Sequence, residues 1–378
     1  MKRLTTALLL FALAVSNVFA TTLPEYRRGA AELGIGGTTS LYGYNSSATM
    51  YNPALLNRAK FRLDLFSIGI GYDQQIANLV KYIKDHNKEF NNFDSLSSNP
   101  DTNRMLQQQF LNSMEKYDDM WFKLGIAPQI GFTIKHFGFV MSDQTYPEVK
   151  LDRGIFNPMA AVRGYTDLAF YGGYGDEYTL PLFGKDRTIE YGVTAKILTR
   201  REVPLKRISA TKLQSNTDLL DQVKNDFNKK KTGFGIDIGL AHNMSDRWEL
   251  GAVMHDAIGT FDGHYVTPNL VFGTKYSLKE LLLPDDEIVK RWIVTGEIQD
   301  WFNGGGTSFF YKWHMGTEID ILNRFALRGG FNQGYPTAGV GLDLWILKLD
   351  YAYYGEELGL APGQLPSYKQ FAQISVGW

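Results

Sequence analysis

The chain has no cysteine in 378 residues, which rules out disulfides and thiolate chemistry and suits a protein that passes through an oxidising compartment. Beyond the first twenty residues it also has no apolar run long enough for a transmembrane helix, which needs about 20 residues. Mean hydropathy is -0.23. A formal net charge of -1 argues against a nucleic-acid partner. No G-x-S-x-G, no H-E-x-x-H and no acid cluster at metal-ligand spacing occurs, and the six histidines are scattered. His242, His255, His264 and His314 offer bases, with His255-Asp256 read as a strand end, but no nucleophile motif accompanies them. The expectation is a non-enzyme with no metal and no cofactor.

The amino terminus has the three parts of a secretory signal. Lys2 and Arg3 form a positive region, Ala7 to Val15 an apolar one, and Val18-Phe19-Ala20 a small-residue cleavage site. Residues 1–20 therefore read as a signal peptide, with the mature chain starting near Thr21. No cysteine follows the cleavage site, so a lipid anchor is excluded.

The carboxy terminus alternates strictly. In Phe371-Ala372-Gln373-Ile374-Ser375-Val376-Gly377-Trp378 the residues Ala372, Ile374, Val376 and Trp378 share one face. Such a segment is either the edge of a soluble sandwich or the closing strand of an outer-membrane barrel, and the signal peptide favours the barrel. Ile374, Val376 and Trp378 then form the signal for the barrel assembly machinery. Low mean hydropathy is what a barrel requires, because only every second residue faces lipid. The 14% aromatic content and 38 glycines fit interfacial girdles, turns and crowded inward positions.

The same period of two recurs along the chain. In Phe122 to Phe132 the even positions Phe122, Leu124, Ile126, Pro128, Ile130 and Phe132 face out, and Lys123, Gly125, Ala127, Gln129 and Gly131 face in. Apolar positions change phase between Leu344 and Leu347, which places a tight hairpin at Trp345-Ile346. The pattern predicts an all-β fold, a transmembrane antiparallel barrel of about 14 strands. Those strands are 61–72, 122–133, 136–142, 164–175, 188–200, 232–242, 248–257, 268–276, 291–300, 309–320, 324–331, 338–345, 347–354 and 370–378. Connections 73–121, 143–163 and 201–231 are long and read as extracellular; 243–247 and 322–323 are short and read as periplasmic. Helical insertions are expected near 73–121 and 201–231. Ile76, Leu79, Val80 and Ile83, then Leu106, Phe110, Leu111 and Met114, make apolar helical stripes. They either pack on each other as a cap or form a groove, in which case Leu106, Phe110 and Met114 capture a greasy ligand.

The segment before the first strand carries a family resemblance. Gly29-Ala30-Ala31-Glu32-Leu33-Gly34-Ile35-Gly36-Gly37, followed by Asn45-Ser46-Ser47-Ala48-Thr49-Met50-Tyr51-Asn52-Pro53-Ala54, resembles the amino-terminal plug of FadL-type barrels. That superfamily includes hydrophobic-compound transporters and the PorV/PorQ family. Ala48 and Asn52-Pro53-Ala54 match its pattern, whereas Asn45-Ser46 stands where an acidic pair is usual. The region from Leu327 through Tyr353 to Trp378 is similar to the end of PorV/PorQ-like members. The resemblance implies a plug at 21–60, with Gly34, Gly36, Gly37, Asn52, Pro53 and Ala54 in it, inside a barrel at 61–378. It implies transport of hydrophobic or amphipathic small molecules such as long-chain fatty acids or hydrocarbons, or else a PorV-like docking platform for secreted proteins.

Glycines at Gly125, Gly131, Gly235, Gly239 and Gly251 would leave room for a plug. Inward charges are expected at Lys196, Asp237, Glu249, Lys312, Glu318, Arg328, Asp343, Lys348 and Asp350. They either pair among themselves, or Arg328 and Lys348 hold a ligand carboxylate. The partners expected are outer-membrane lipid, the assembly machinery and a hydrophobic small molecule or a secreted protein, for a monomer in the Gram-negative outer membrane. Trp378→Ala should slow insertion in a pulse-chase assay while leaving the folded barrel stable, because the ladder of the closing strand does not need the indole. Wild-type insertion kinetics would sink this prediction.

Overall fold

The computed structural model describes residues 28–43, 45–73, 76, 81, 84, 112, 121–152, 159–182, 185–209, 225–303, 308–357, 363–364 and 366–377. The strands are β1 (Arg62–Asp73), β2 (Trp121–Ile134), β3 (Phe137–Asp152), β4 (Met159–Leu182), β5 (Lys185–Ser209), β6 (Lys230–Asn243), β7 (Trp248–Phe261), β8 (His264–Tyr265), β9 (Asn269–Ser277), β10 (Val289–Ile298), β11 (Trp313–Ile321), β12 (Phe325–Asn332), β13 (Tyr335–Leu344), β14 (Leu347–Glu357) and β15 (Pro366–Gly377). All neighbours are antiparallel, and the two-residue β8 pairs only with β7. The other fourteen close on themselves, β1 pairing with β15 from Asp64↔Gly377 to Asp73↔Lys369. Closure leaves no free sheet edge, the condition for strands to cross a lipid bilayer.

The outward surface is apolar in the pattern the sequence predicts. Ile126, Ile130 and Phe132 on β2, Val193 and Ile197 on β5, and Phe234, Ile238 and Leu240 on β6 are all exposed. An apolar band this continuous has no place on a water-soluble monomer. Phe122 departs from the pattern, since it is only 4% exposed. The hairpin at Trp345-Ile346 forms as expected, with Trp345 at φ 75°. β1 begins and β15 ends at the same end of the barrel, here termed the short-turn end, while β1 ends and β2 begins at the opposite, long-connection end.

Three boundaries differ from the sequence reading for one reason. β3 continues to Asp152, β4 starts at Met159 and β5 runs to Ser209. Much of the expected loops 143–163 and 201–231 is therefore strand. In these extensions apolar and polar residues no longer alternate regularly, as in Met159-Ala160-Ala161-Val162, so the period of two fades while the backbone ladder continues. Of the helical insertions, Ile76, Lys81, Lys84 and Asn112 are helical, as is the short turn 225–227. The remainder, including the stripe residues Leu106, Phe110 and Met114, lies outside the described residues.

The barrel interior is occupied by residues 28–60, the inner segment. Ala30, Ile35, Leu41, Met50, Leu55 and Leu56 on this segment are at most 2% exposed. The larger of these, Ile35, Leu41, Met50, Leu55 and Leu56, each contribute roughly 1.5–3 kcal/mol on burial, so the segment is held as a core. A closed ladder resists SDS until boiled, and unboiled protein extracted in mild detergent should migrate faster on gels than boiled protein. Identical migration of both samples would overturn the closed barrel.

Candidate functional site

The inner segment is built from short pieces, each fixed by a specific residue. A helix at Ala30–Gly34 is followed by a turn, a helix at Ala48–Tyr51 and a 3-10 turn at Pro53–Arg58. Asn52 is fully buried and satisfies its whole amide: Oδ1 accepts from Ala54 N at 3.1 Å, and Nδ2 donates to Ser40 O at 2.7 Å and Leu240 O at 3.3 Å. One side chain thus caps the 3-10 turn, staples two parts of the segment and grips β6. Pro53 follows at the first turn position, where no N–H is needed. Gly36 has φ +84° and stands so close to β11 that a Cβ would lie 2.1 Å from Met315 O. Gly34 makes a similar approach to Gly339, and Gly37 (φ +81°) to Asn332.

The wall answers this segment with its own glycines. A Cβ at Gly131 would meet Ser46, one at Gly239 would meet Asn52, one at Gly251 would meet Leu41, and those at Gly175 and Gly192 would meet Pro53. Gly125 and Gly235 do other work: a Cβ there would meet Tyr146 and the Asp256–Lys196 pair respectively. The hydroxyl of Ser46 donates to Asp64 of β1, so a carboxylate from the wall stands beside the position where the plug pattern has its own acids.

Every wall charge expected to face inward is ion-paired. Glu318, fully buried, accepts from Tyr42, Arg291 and Arg328, and Arg328 Nη1 reaches Asp350 at 2.7 Å. Burial raises the Tyr42 phenol well above its ordinary pKa, so it stays a neutral donor to Glu318. Lys348 lies 2.7 Å from Asp343 nearer the mouth. Arg328 and Lys348 therefore serve separate carboxylates of the chain itself. Lys312 belongs to a 3-10 turn, Phe309–Lys312, rather than to a strand, and donates to Asp300 O at 2.7 Å; the predicted strand 309–320 begins only at Trp313.

Other contacts were not legible in the sequence. Glu297 accepts from the backbone N–H groups of Thr39 at 2.9 Å and Ser40 at 2.7 Å. Arg58 bridges Glu190 and Glu249 at the short-turn end, with Lys275 3.0 Å from Glu249. Lys196 sits 2.8 Å from Asp237 and 2.7 Å from Asp256. His255 and Asp256 are not at a strand end but inside β7, where a bulge opposite Asp237 turns two successive side chains inward. Two carboxylates around one ammonium describe a paired wall, not a poised catalytic base.

Among the described residues, cavities lie beside the inner segment at both ends of the barrel. One, of about 390 Å³ at the short-turn end, includes Arg328, Asp343, Lys348 and Asp350 in its lining, so four of the six predicted lumen residues do converge. The other, of about 220 Å³ at the long-connection end, is walled by Tyr72, Tyr146, Tyr165, Tyr354 and Phe371 and floored by Leu33. Glycines make space for its rings: a Cβ at Gly125 would stand 2.7 Å from the Tyr146 ring and one at Gly71 2.7 Å from the Phe371 ring. Single-sequence alternation offers no signal for this cavity, because its rings come from β1, β3, β4, β14 and β15. Ile374 and Val376 lie on β15, with Ile374 opposite Ile68 and Leu349; Trp378 lies outside the described residues.

The class this geometry defines is a closed fourteen-strand transmembrane β-barrel. No protein-family model matches the chain, and no curated protein matches it in sequence. Among solved structures it is similar to FadL-type channels. The Pseudomonas putida toluene transporter TodX has 12% identity and TM-score 0.49, covering 94% of this chain and 99% of TodX. The Ralstonia pickettii toluene transporter TbuX has 12% identity and TM-score 0.46, with 93% and 98% covered. The CymD monoaromatic hydrocarbon channel has 9% identity and TM-score 0.41, with 92% and 96% covered.

Gly36→Ala should destabilise docking of the inner segment by about 1–3 kcal/mol through the left-handed backbone alone, and Gly36→Trp should undock it. Limited proteolysis is the readout, with new cleavage within 28–60 while the barrel stays heat-modifiable. Wild-type protection of Gly36→Trp would contradict the close approach to Met315.

Proposed function

We propose that this protein is an outer-membrane transporter of hydrophobic or amphipathic small molecules, such as long-chain fatty acids or hydrocarbons, and that the inner segment is its plug. The observation that carries the reading is the aromatic-walled cavity at the long-connection mouth, which rests directly on the plug. Concave sites lined by rings with a few polar groups are where small ligands bind. The class of activity is the one that the names of TodX, TbuX and CymD carry. In this reading the chain is exported through a cleaved signal peptide, inserted by the barrel assembly machinery and acts as a monomer in the Gram-negative outer membrane. The long-connection end faces outward, and Leu106, Phe110 and Met114 take part in ligand capture.

One observation favours the alternative, a PorV-like docking platform for secreted proteins. At the level of the plug the described lumen is sealed by polar contacts, with Glu297, Glu318 and Arg58 all engaged. A platform needs no passage through the barrel, whereas a transporter must move this seal.

Accumulation of labelled toluene and of a long-chain fatty acid, in cells with matched surface levels, separates the two. Wild type should exceed the empty vector. Replacing Leu106 and Phe110 together by Asp should lower uptake about tenfold or more, since each apolar anchor lost removes roughly 1.5–3 kcal/mol of binding. No uptake above the empty vector for wild type would move the assignment to the platform.

A further inference from the structure

The tyrosine-walled cavity contains a cation that, among the described residues, has no hydrogen-bonded carboxylate, although Glu356 feels its charge. Its lining has three basic residues, Arg28, Lys123 and Lys369, and three acidic ones, Asp73, Glu148 and Glu356. Lys369 pairs with Glu356, and Glu148 is shared by Lys123 at 3.5 Å and Arg163 at 2.5 Å. Asp73 accepts from the Ser367 hydroxyl at 2.7 Å. Arg28 differs from both lysines. Among the described residues its guanidinium is hydrogen-bonded to the side-chain amide oxygens of Gln299 and Asn332, and to no carboxylate. Neutral partners orient the guanidinium and leave its charge in place. A guanidinium held in this way at the base of a partly desolvated site has its strongest partner in a carboxylate, which its planar fork can bind through two hydrogen bonds.

Size and wall chemistry narrow the ligand further. A cavity of about 150 Å³ lined by apolar side chains holds benzene, and this one measures about 220 Å³. One ring with a short acidic substituent fits that volume whole, whereas a long acyl chain enters it only in part. Tyr146 and Tyr165 stand 5.3 Å apart between ring centroids, tilted at 39°, and flat ligands stack favourably on such faces. Gly125 and Gly71 allow the rings of Tyr146 and Phe371 to lie against the strands, so the space is built into the wall.

We propose that this cavity is a binding site for a compact monocyclic carboxylate of the phenylacetate kind, with Arg28 taking the carboxylate and the tyrosines taking the ring. The proposal rests on the transport reading for its biological use, but the binding itself does not require it. It assigns to Arg28, the residue just before the Gly29–Gly37 stretch, a role in ligand selection in addition to its place in the plug.

The test uses the full mature chain folded in detergent, titrated calorimetrically with phenylacetate and, separately, with toluene as the uncharged counterpart. Phenylacetate should bind at one saturable site, and Arg28→Gln should weaken it about tenfold or more, as loss of a charge-assisted pair does, with toluene affinity little changed. Gly125→Val supplies an independent variant. Its added Cβ would press the Tyr146 ring into the cavity, so it should abolish binding of both compounds. Heat-modifiable migration confirms that each variant is folded. Absence of saturable phenylacetate binding, or equal phenylacetate affinity in wild type and Arg28→Gln, overturns the assignment. If phenylacetate binds as described while cells accumulate no apolar compound, the transport reading fails and the site stands. If cells accumulate toluene while phenylacetate does not bind, the site fails alone.

Discussion

Closure of the hydrogen-bonded ladder between β1 and β15 is the constraint from which the remaining features follow. In lipid no water satisfies a backbone N–H or C=O, so a sheet crosses only when it has no edge. Closure with a strict pleat commits alternate residues to lipid and to lumen. Fourteen strands enclose more space than wall side chains fill when many of them are glycine, and the inner segment occupies that space. The glycines and the segment are therefore one feature: the backbones approach closely because neither side has a Cβ in the way.

The chemistry of the lumen follows from the same enclosure. A charge buried beside a packed segment is costly unless it is paired, and removing one partner leaves the other stranded. Glu318 with Tyr42, Arg291 and Arg328, and Glu190 and Glu249 with Arg58, meet that requirement by joining segment to wall. These pairs fix the segment's register inside the barrel as well as its presence. At the long-connection end the pattern changes: rings stand among the ion pairs, a cavity persists, and Arg28 keeps neutral hydrogen-bond partners. One barrel thus has a polar seal and, above it, a ring-walled recess.

Much of this was legible residue by residue. The alternation named Ile126, Ile130 and Phe132 of β2 as facing lipid, though it misplaced Phe122, and the phase change before Leu347 fixed a hairpin. Alternation pointed to a set of inward charges but left open whether they pair or bind a ligand, and it held no information on which residue meets which. Where regular alternation lapsed the signal ended, so the extensions of β3, β4 and β5 read as loops. His255 and Asp256 read as a strand end because a bulge breaks the period of two without ending the strand.

The sequence alone determined a protein built of alternating strands, with an apolar outer face, a glycine-rich amino-terminal segment and an aromatic carboxy terminus. Those are properties of neighbours along the chain, set by a two-residue period and by residue type. Only the tertiary structure decided that Asn52 grips β6, that Arg58 bridges β5 and β7, and that five rings from five strands enclose one cavity above Leu33. Those contacts join residues far apart in the chain. They depend on the register and stagger with which the barrel closes, and no local pattern encodes that geometry.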